Sequence, residues 1–314
     1  MFSASGPTRD PSLRIFGLRS SSSGAGTLLL AALIATVVLL LAAAMVYARR
    51  EAGRLRIQRF SLDLANPPCG GPTAFDGYRI VFASDFHVLR VGPFERKVLD
   101  SLAALRGDLL ILGGDYQDHR KKPVDGAIVF VDKLAELAGN FADGIVAVRG
   151  NHDSRTMREY LRHHRAIRYL GRTAFVIERG NDKIAIAGVR RSPRKSRKRM
   201  ERRAHRIAAS MPDNACLRVL VSHWPDYFPA ARREKFDIVL AGDTHGGQVR
   251  LPLVGAIVRK TRLAQRYAFG LVREEGSTLY TTSGIGTRSF PLRLFCPPEI
   301  VVFELRAAES ARKI

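Results

Sequence analysis

The chain has 314 residues, of which 46% are hydrophobic and 25% charged, the mix of an ordinary globular protein and not of a disordered, collagenous or disulfide-framed one. Lys and Arg number 51 against 29 Asp and Glu, a formal net charge of +22, so the partners to expect are polyanions: nucleic acid, anionic lipid or a phosphorylated substrate. The three cysteines, Cys69, Cys216 and Cys296, are widely spaced and odd in number, which argues against a zinc knuckle or a disulfide scaffold.

In chain order, residues 1–26 are rich in Ser and Gly and read as a disordered tail. Thr27 to Ala48 then run without a charge. At about 1.5 Å per residue this run spans a hydrocarbon core of about 30 Å, which predicts a transmembrane helix. The rival reading is a cleaved signal peptide, whose apolar region is usually only about 7–15 residues long. Arg9, Arg14 and Arg19 precede the run, whereas Arg49, Arg50, Arg54, Arg56 and Arg59 follow it. The positive-inside rule therefore puts the C-terminal bulk in the cytoplasm. Residues 49–73 read as a basic juxtamembrane segment ending in the Pro/Gly linker ANPPCGGPT.

Residues 74–306 have the length of one α/β domain, with 307–314 as a tail. Short apolar runs predict buried strands at Tyr78–Ser84, Asp108–Leu112, Gly144–Val148, Lys183–Val189, Leu217–Ser222 and Phe236–Ala241. Two more are expected at Ser277–Thr282 and Glu299–Leu305. Helical patterns lie between them at Phe94–Leu105, Val124–Ala138 and Ser154–Arg165. Together they predict a layered α/β fold with mixed sheets. Residues 190–206 hold ten Lys/Arg and one acid, Glu201. They read either as a solvated basic helix or flexible insertion, or as a docking element for an anionic ligand or membrane, with Arg190, Arg191, Arg194 and Lys195 as candidate substrate contacts.

Polar residues recur where the predicted strands end: Asp85 and His87; Asp115; Asn151, His152 and Asp153; His223; Asp243 and His245. Loops at one edge of an α/β sheet converge on a crevice, so five such clusters point to one site. Carboxylate, imidazole and amide oxygen without thiolate suit Mn²⁺, Fe or Zn²⁺. The number of candidate ligands exceeds one tetrahedral ion and suits two.

The ordered series DFH, GDYQD, GNHD, SHWPD and GDTHGGQ resembles the signature of calcineurin-like metallophosphoesterases. The tail SGIGTRSFPLRLFCPPEI resembles more narrowly the bacterial membrane-associated branch, which includes phosphodiesterases and a UDP-2,3-diacylglucosamine pyrophosphatase. The resemblance implies a calcineurin-like α/β/β/α sandwich with two divalent ions, Mn²⁺ first among them. It implies that Asp85, His87 and His245 hold one ion, that Asp115 bridges, and that Asn151, His223 and position 243 hold the other. His152 would stand near the leaving oxygen as a protonated donor, with Asp118 or Asp153 raising its basicity. The family motif GHxH is GDTH here, so Asp243 puts a hard carboxylate where an imidazole is usual. The function implied is hydrolysis of a lipid-linked phosphodiester or pyrophosphate by a single-pass protein of the bacterial inner membrane, with membrane lipid as partner and no nucleic acid. A nuclease or nucleotide phosphodiesterase and a non-catalytic basic membrane scaffold are the alternatives.

Overall fold

The structure, a computed structural model, describes residues 24–64, 74–171, 174–189 and 196–307. The chain divides into two compact units between Ala44 and Met45. The helix α1 (Gly24–Ala52) crosses that division; an 18-residue window within Gly26–Ala52 has a mean hydropathy of 2.9, and the helix is long and apolar enough to cross a membrane.

The second unit continues with β1 (Arg56–Leu64), β2 (Arg79–Ala83), α2 (Pro93–Ala104), β3 (Leu109–Leu112), α3 (Asp125–Ala135), β4 (Ile145–Ala147), α4 (Arg155–His163) and β5 (Ile167–Tyr169). Then come β6 (Phe175–Arg179), β7 (Asp182–Gly188), α5 (Arg197–Ala208), β8 (Leu217–Val221), α6 (Phe228–Arg233) and β9 (Ile238–Ala241). A small hairpin of β10 (Arg250–Leu251) and β11 (Gly255–Ala256) precedes β12 (Gly270–Glu274), β13 (Ser277–Thr281) and β14 (Glu299–Ala307). Among the described residues the longer strands form two six-stranded mixed sheets, ordered β1-β14-β2-β3-β4-β5 and β12-β13-β9-β8-β7-β6.

Why these runs become central strands is visible in which way alternate residues point. Ile80, Phe82, Leu109 and Ile111 face the second sheet, and meet Val219, Val221, Ile238 and Leu240 from it. Val81, Ala83, Leu110 and Leu112 face α2, α3 and α4 instead. On the far side, Leu220, Val239 and Ala241 face α5 and α6. Apart from Arg79 in β2 and Arg218 in β8, every position of these strands is buried, so the sequence shows apolar runs without polar alternation. Each fully buried Leu, Ile, Val or Phe contributes about 1.5–3 kcal/mol. The result is the expected α/β/β/α sandwich.

Several boundaries differ from the sequence reading. The basic segment 49–73 is not all linker. Its Arg56–Leu64 part pairs in parallel with β14 at the end of the first sheet. Phe60 and Leu62 point into the inter-sheet core, but the flanking charges of Arg56, Arg59 and Asp63 hid that period-2 signal. The basic run is likewise not a flexible insertion from Arg197 onward: α5 is capped by Ser196, whose Oγ accepts from the Arg199 amide, and buries Ala204, Ile207 and Ala208. Arg190, Arg191, Arg194 and Lys195 lie outside the described residues, as does Cys69. Cys216 and Cys296 are buried thiols.

Candidate metal centre

The parallel strands β2, β3 and β4 of one sheet and β8 and β9 of the other end at a common edge, and the chain leaves each through a candidate ligand. The turns are sharp. Asp85 (φ 58°), His87 (φ 49°), Asp115 (φ 55°), Asp243 (φ 64°) and His245 (φ 53°) all take left-handed backbone conformations. Asp and His tolerate that region better than branched residues do, at a cost of order 1–3 kcal/mol each, so the surrounding fold must hold them there. Two glycines make room. A Cβ at Gly150 would fall 1.9 Å from Asp115 Oδ1, and one at Gly242 would fall 2.2 Å from Asp85 Oδ2.

The ligand atoms of Asp85, His87 and His245 all lie within 4.8 Å of one another, as do those of Asp85, Asp115 and His223, and all five residues are buried. Asp85 is thus common to both groups. Asp115 also stands between them, with Oδ2 3.2 Å from His223 Nε2 and 3.6 Å from His87 Nε2. The Asp243 carboxylate is buried beside them, its Oδ1 3.7 Å from His223 Nε2, while its amide donates to Asp85 Oδ1 at 3.0 Å.

The tautomers decide what this cluster can hold. His87 Nδ1 is 3.2 Å from the Asp118 carbonyl and His223 Nδ1 is 2.9 Å from the Gly113 carbonyl. A carbonyl only accepts, so both Nδ1 atoms carry a proton, and Nε2 is the ring nitrogen that each presents to the centre. Yet His87 Nε2 is 3.0 Å from His245 Nε2, and His223 Nε2 faces a carboxylate oxygen. Each of these contacts needs a proton or a cation between the facing atoms, and a cation can take the place of the protons. Asp85 Oδ2 and Asn151 Oδ1 are also buried and accept no hydrogen bond among the described residues. Two divalent cations fit this donor set; Asp85, His87 and His245 would hold one, and Asp115, Asn151, His223 and Asp243 the other, with a carboxylate shared.

Protonation follows the same crowding. Burial pushes the Asp85 carboxyl up, against the pull of His223. Burial also acts to raise Asp115, but His223 and His87 outweigh it and hold that carboxyl below the usual range. His223 is desolvated yet raised to about 9, because the Asp115 and Asp85 charges face it. His245 is driven down by burial and by His87.

The remaining site residues take roles the sequence did not disclose. Asp153 does not approach the His152 ring. Its Oδ2 accepts from the amides of Asp115 (3.0 Å) and Gly150 (2.7 Å), and its Oδ1 from those of Tyr116 (2.8 Å) and Gln117 (3.2 Å). It is the clasp that holds the Asp115 turn. Asp118 orients His87 through its backbone carbonyl, while its carboxylate pairs with Lys122. Neither carboxylate therefore raises the basicity of His152, whose two ring nitrogens are buried and make no hydrogen bond among the described residues. Burial lowers the His152 pKa to about 4; Asp115 opposes it, and His87, Arg288 and His119 add to it. His152 sits edge-on to His87, with ring centroids 5.0 Å apart, and its amide donates to Asp115 Oδ1 at 2.7 Å. Sequence reasoning missed Arg288 and His119, which flank His152; Arg288 arrives from the loop after β13, whose amides at Ile285 and Gly286 donate to the carbonyls of Ser84 and Asp85. Trp224 packs edge-on against His223.

Residues 78–247 match the family model of calcineurin-like phosphoesterases. The chain belongs to that family. It is similar to the phosphodiesterase YaeI of Escherichia coli, 31% identical over 246 residues that cover 73% of this chain and 82% of the relative. It is also similar to the metallophosphoesterase YkuE of Bacillus subtilis, 25% identical and covering 75% of this chain and 82% of that one. A metallophosphoesterase of Aquifex aeolicus is 27% identical, over 83% of this chain and 95% of the relative. The protein is a metal-dependent phosphoester hydrolase, and its buried carboxylate–imidazole cluster is the candidate site.

Proposed function

We propose that the protein is a membrane-anchored phosphodiesterase or pyrophosphatase that cleaves a lipid-linked phosphate, of which UDP-2,3-diacylglucosamine is an example. The observation that carries this reading is a buried cluster suited to two cations on a chain that also bears the apolar helix α1. The helix would hold the protein in a bacterial inner membrane with the catalytic unit in the cytoplasm, where the +22 charge favours an anionic substrate at an anionic surface. No nucleic acid partner is needed.

Two cations held by Asp85, His87, His245, Asp115, Asn151, His223 and Asp243 would supply Lewis acidity toward a water and the phosphoryl oxygens; the hard carboxylate of Asp243 supports Mn²⁺ for the second of them. The rest is the work of the chain. His87 and His223 keep their Nδ1 protons on backbone carbonyls, so their lone pairs stay aimed at the centre. Arg288 stands where it can meet a non-bridging phosphate oxygen. His152, neutral when the site is empty of anions, gains basicity beside a phosphate and then has a proton for the leaving oxygen. Arg190, Arg191, Arg194 and Lys195 remain proposed contacts to the anionic substrate or lipid.

The test is a substrate panel on purified protein with Mn²⁺: UDP-2,3-diacylglucosamine, bis-p-nitrophenyl phosphate, phosphomonoesters and single-stranded DNA. Preference for the lipid-linked pyrophosphate over DNA is expected. Preferred cleavage of DNA would replace this reading with that of a nuclease, and absence of all hydrolysis with that of a basic scaffold.

A further inference from the structure

Large exposed apolar side chains are concentrated in one region of the catalytic unit. Leu253, Val254, Ile257 and Val258 lie on and after the β10–β11 hairpin, and Phe290 and Phe295 lie on the loop before β14. Val254 is 65% exposed and Phe290 is 70% exposed, far from what a core or a packed surface shows. The two segments are one surface: Val249 bridges Leu294, the Arg250 amide donates to the Leu294 carbonyl at 2.9 Å, and the Leu294 amide donates to the Gln248 carbonyl at 2.9 Å. A soluble monomer does not expose a contiguous apolar patch of this kind without something to cover it.

What covers it follows from where it is attached. Phe295 stacks on Tyr47 with ring centroids 5.9 Å apart. The Arg293 amide donates to the Ala48 carbonyl at 3.0 Å, and the Cys296 amide to Glu51 Oε1 at 2.9 Å. Tyr47 and Ala48 are the last residues of the uncharged run. If that run spans a bilayer, Tyr47 stands at its boundary, and so does Phe295. The charged residues around the patch agree: Arg49, Arg50, Arg54 and Arg259 are exposed and basic, the complement of anionic headgroups. An apolar surface accompanied by exposed arginines has the chemistry of interfacial membrane binding.

The same surface is built onto the metal centre. A Cβ at Gly247 would fall 2.5 Å from Ala256 Cβ, so the hairpin packs directly on the turn that carries His245. Cys296 Sγ contacts the His245 carbonyl at 3.3 Å, and the Gly286 amide donates to the Asp85 carbonyl at 2.7 Å. We infer that the hairpin and the Phe290–Phe295 loop form a second membrane contact, which seats the mouth of the metal centre on the anionic lipid surface so that a phosphate held in the headgroup layer reaches it without leaving the bilayer. This rests on the anchor reading proposed above and adds to it an orientation of the catalytic unit.

The experiment uses the full chain in vesicles of phosphatidylethanolamine and phosphatidylglycerol. A Cys69→Ser background leaves only the buried Cys216 and Cys296, and a fluorophore is placed at Val254→Cys, Phe290→Cys, Val38→Cys in α1 or Val129→Cys in α3. Nitroxide lipids then report proximity to the bilayer. Labels at 254 and 290 are expected to be quenched at least about threefold more than the label at 129, and less than the label at 38, as for side chains buried to the headgroup–acyl boundary. Quenching at 38 with none at 254 and 290 overturns the second contact and leaves the anchor standing. Absence of quenching at 38 overturns the anchor and this inference with it. A label at 254 that changes with protein concentration but not with nitroxide lipid would show a second copy of the chain on the face, and likewise overturns the inference. In a kinetic arm, Leu253→Ser, Val254→Ser and Ile257→Ser combined should raise KM about tenfold on a vesicle-embedded phosphodiester, one factor of ten in surface partitioning. Turnover of soluble bis-p-nitrophenyl phosphate should not change; equal loss on both substrates overturns the reading.

Discussion

Replacing Asp153 by Asn tests whether the metal centre is held by a backbone clasp or by its ligands alone. Asp153 is buried, and its two oxygens together accept four amide protons, from Asp115, Gly150, Tyr116 and Gln117. Asparagine keeps the size and one oxygen. Its amide group must then face two N–H donors that have no other acceptor. Each buried donor so stranded costs about 1–3 kcal/mol, so the loss is roughly 2–6 kcal/mol. For a domain of this size each kcal/mol moves Tm by about 2–4 °C, and a fall of roughly 4–24 °C is expected. The Asp115 turn, at φ 55° and next to Gly114 at φ 98°, relaxes once it is released, so metal content and hydrolysis should fall further than stability does. Calorimetry, metal analysis and turnover of bis-p-nitrophenyl phosphate on the same samples read all three. A variant with Tm within about 2 °C of the parent, a shift below 1 kcal/mol for this size, and with full metal content would refute the clasp.

Other outcomes follow from single contacts. Asp115→Ala should abolish hydrolysis and lower metal content at both sites, measured by elemental analysis with excess Mn²⁺. Gly242→Ala should do nearly the same without touching a ligand, since its Cβ would meet Asp85 Oδ2 at 2.2 Å. Arg288→Ala should raise KM for phosphodiesters more than it lowers kcat, the outcome that the proposed contact of Arg288 with a non-bridging phosphate oxygen requires. His152 has a pKa lowered to about 4 in the folded protein against about 6.5 unfolded. The unfolded chain therefore takes up that proton first, and the stability tied to neutral His152, present above about pH 6.5, is lost as pH falls toward 4. Thermal melts of chelator-treated protein should show a shallower acid decline in His152→Gln than in the parent. Asp243→His should shift metal preference from Mn²⁺ toward Zn²⁺, read by competition binding; unchanged preference would show that the residue at 243 does not set it.

The candidate ligands could be read from the sequence because strand ends and polar clusters coincide in it. DFH, GDYQD, GNHD, SHWPD and GDTH each follow an apolar run, and continuous apolar runs are what strands covered on both faces require. The layered sandwich was legible for the same reason, and so was the apolar stretch of α1, whose signal lies in consecutive residues. Tertiary structure decided what depends on partners distant in the chain. β1 becomes a strand because β14 is there to pair with it, although its charges mask the alternation of Phe60 and Leu62. Asp153 looks like a catalytic neighbour of His152, yet the fold brings four amides to its carboxylate and leaves the ring with none. Arg288 and the exposed hairpin lie in the C-terminal stretch after the ligand motifs, where no local pattern links them to Asp85 or Tyr47. Sequence fixes which side chains can bind a cation. Only packing of the two sheets brings the Nε2 atoms of His87 and His245 to 3.0 Å, a distance that a shared proton or a cation between them must satisfy.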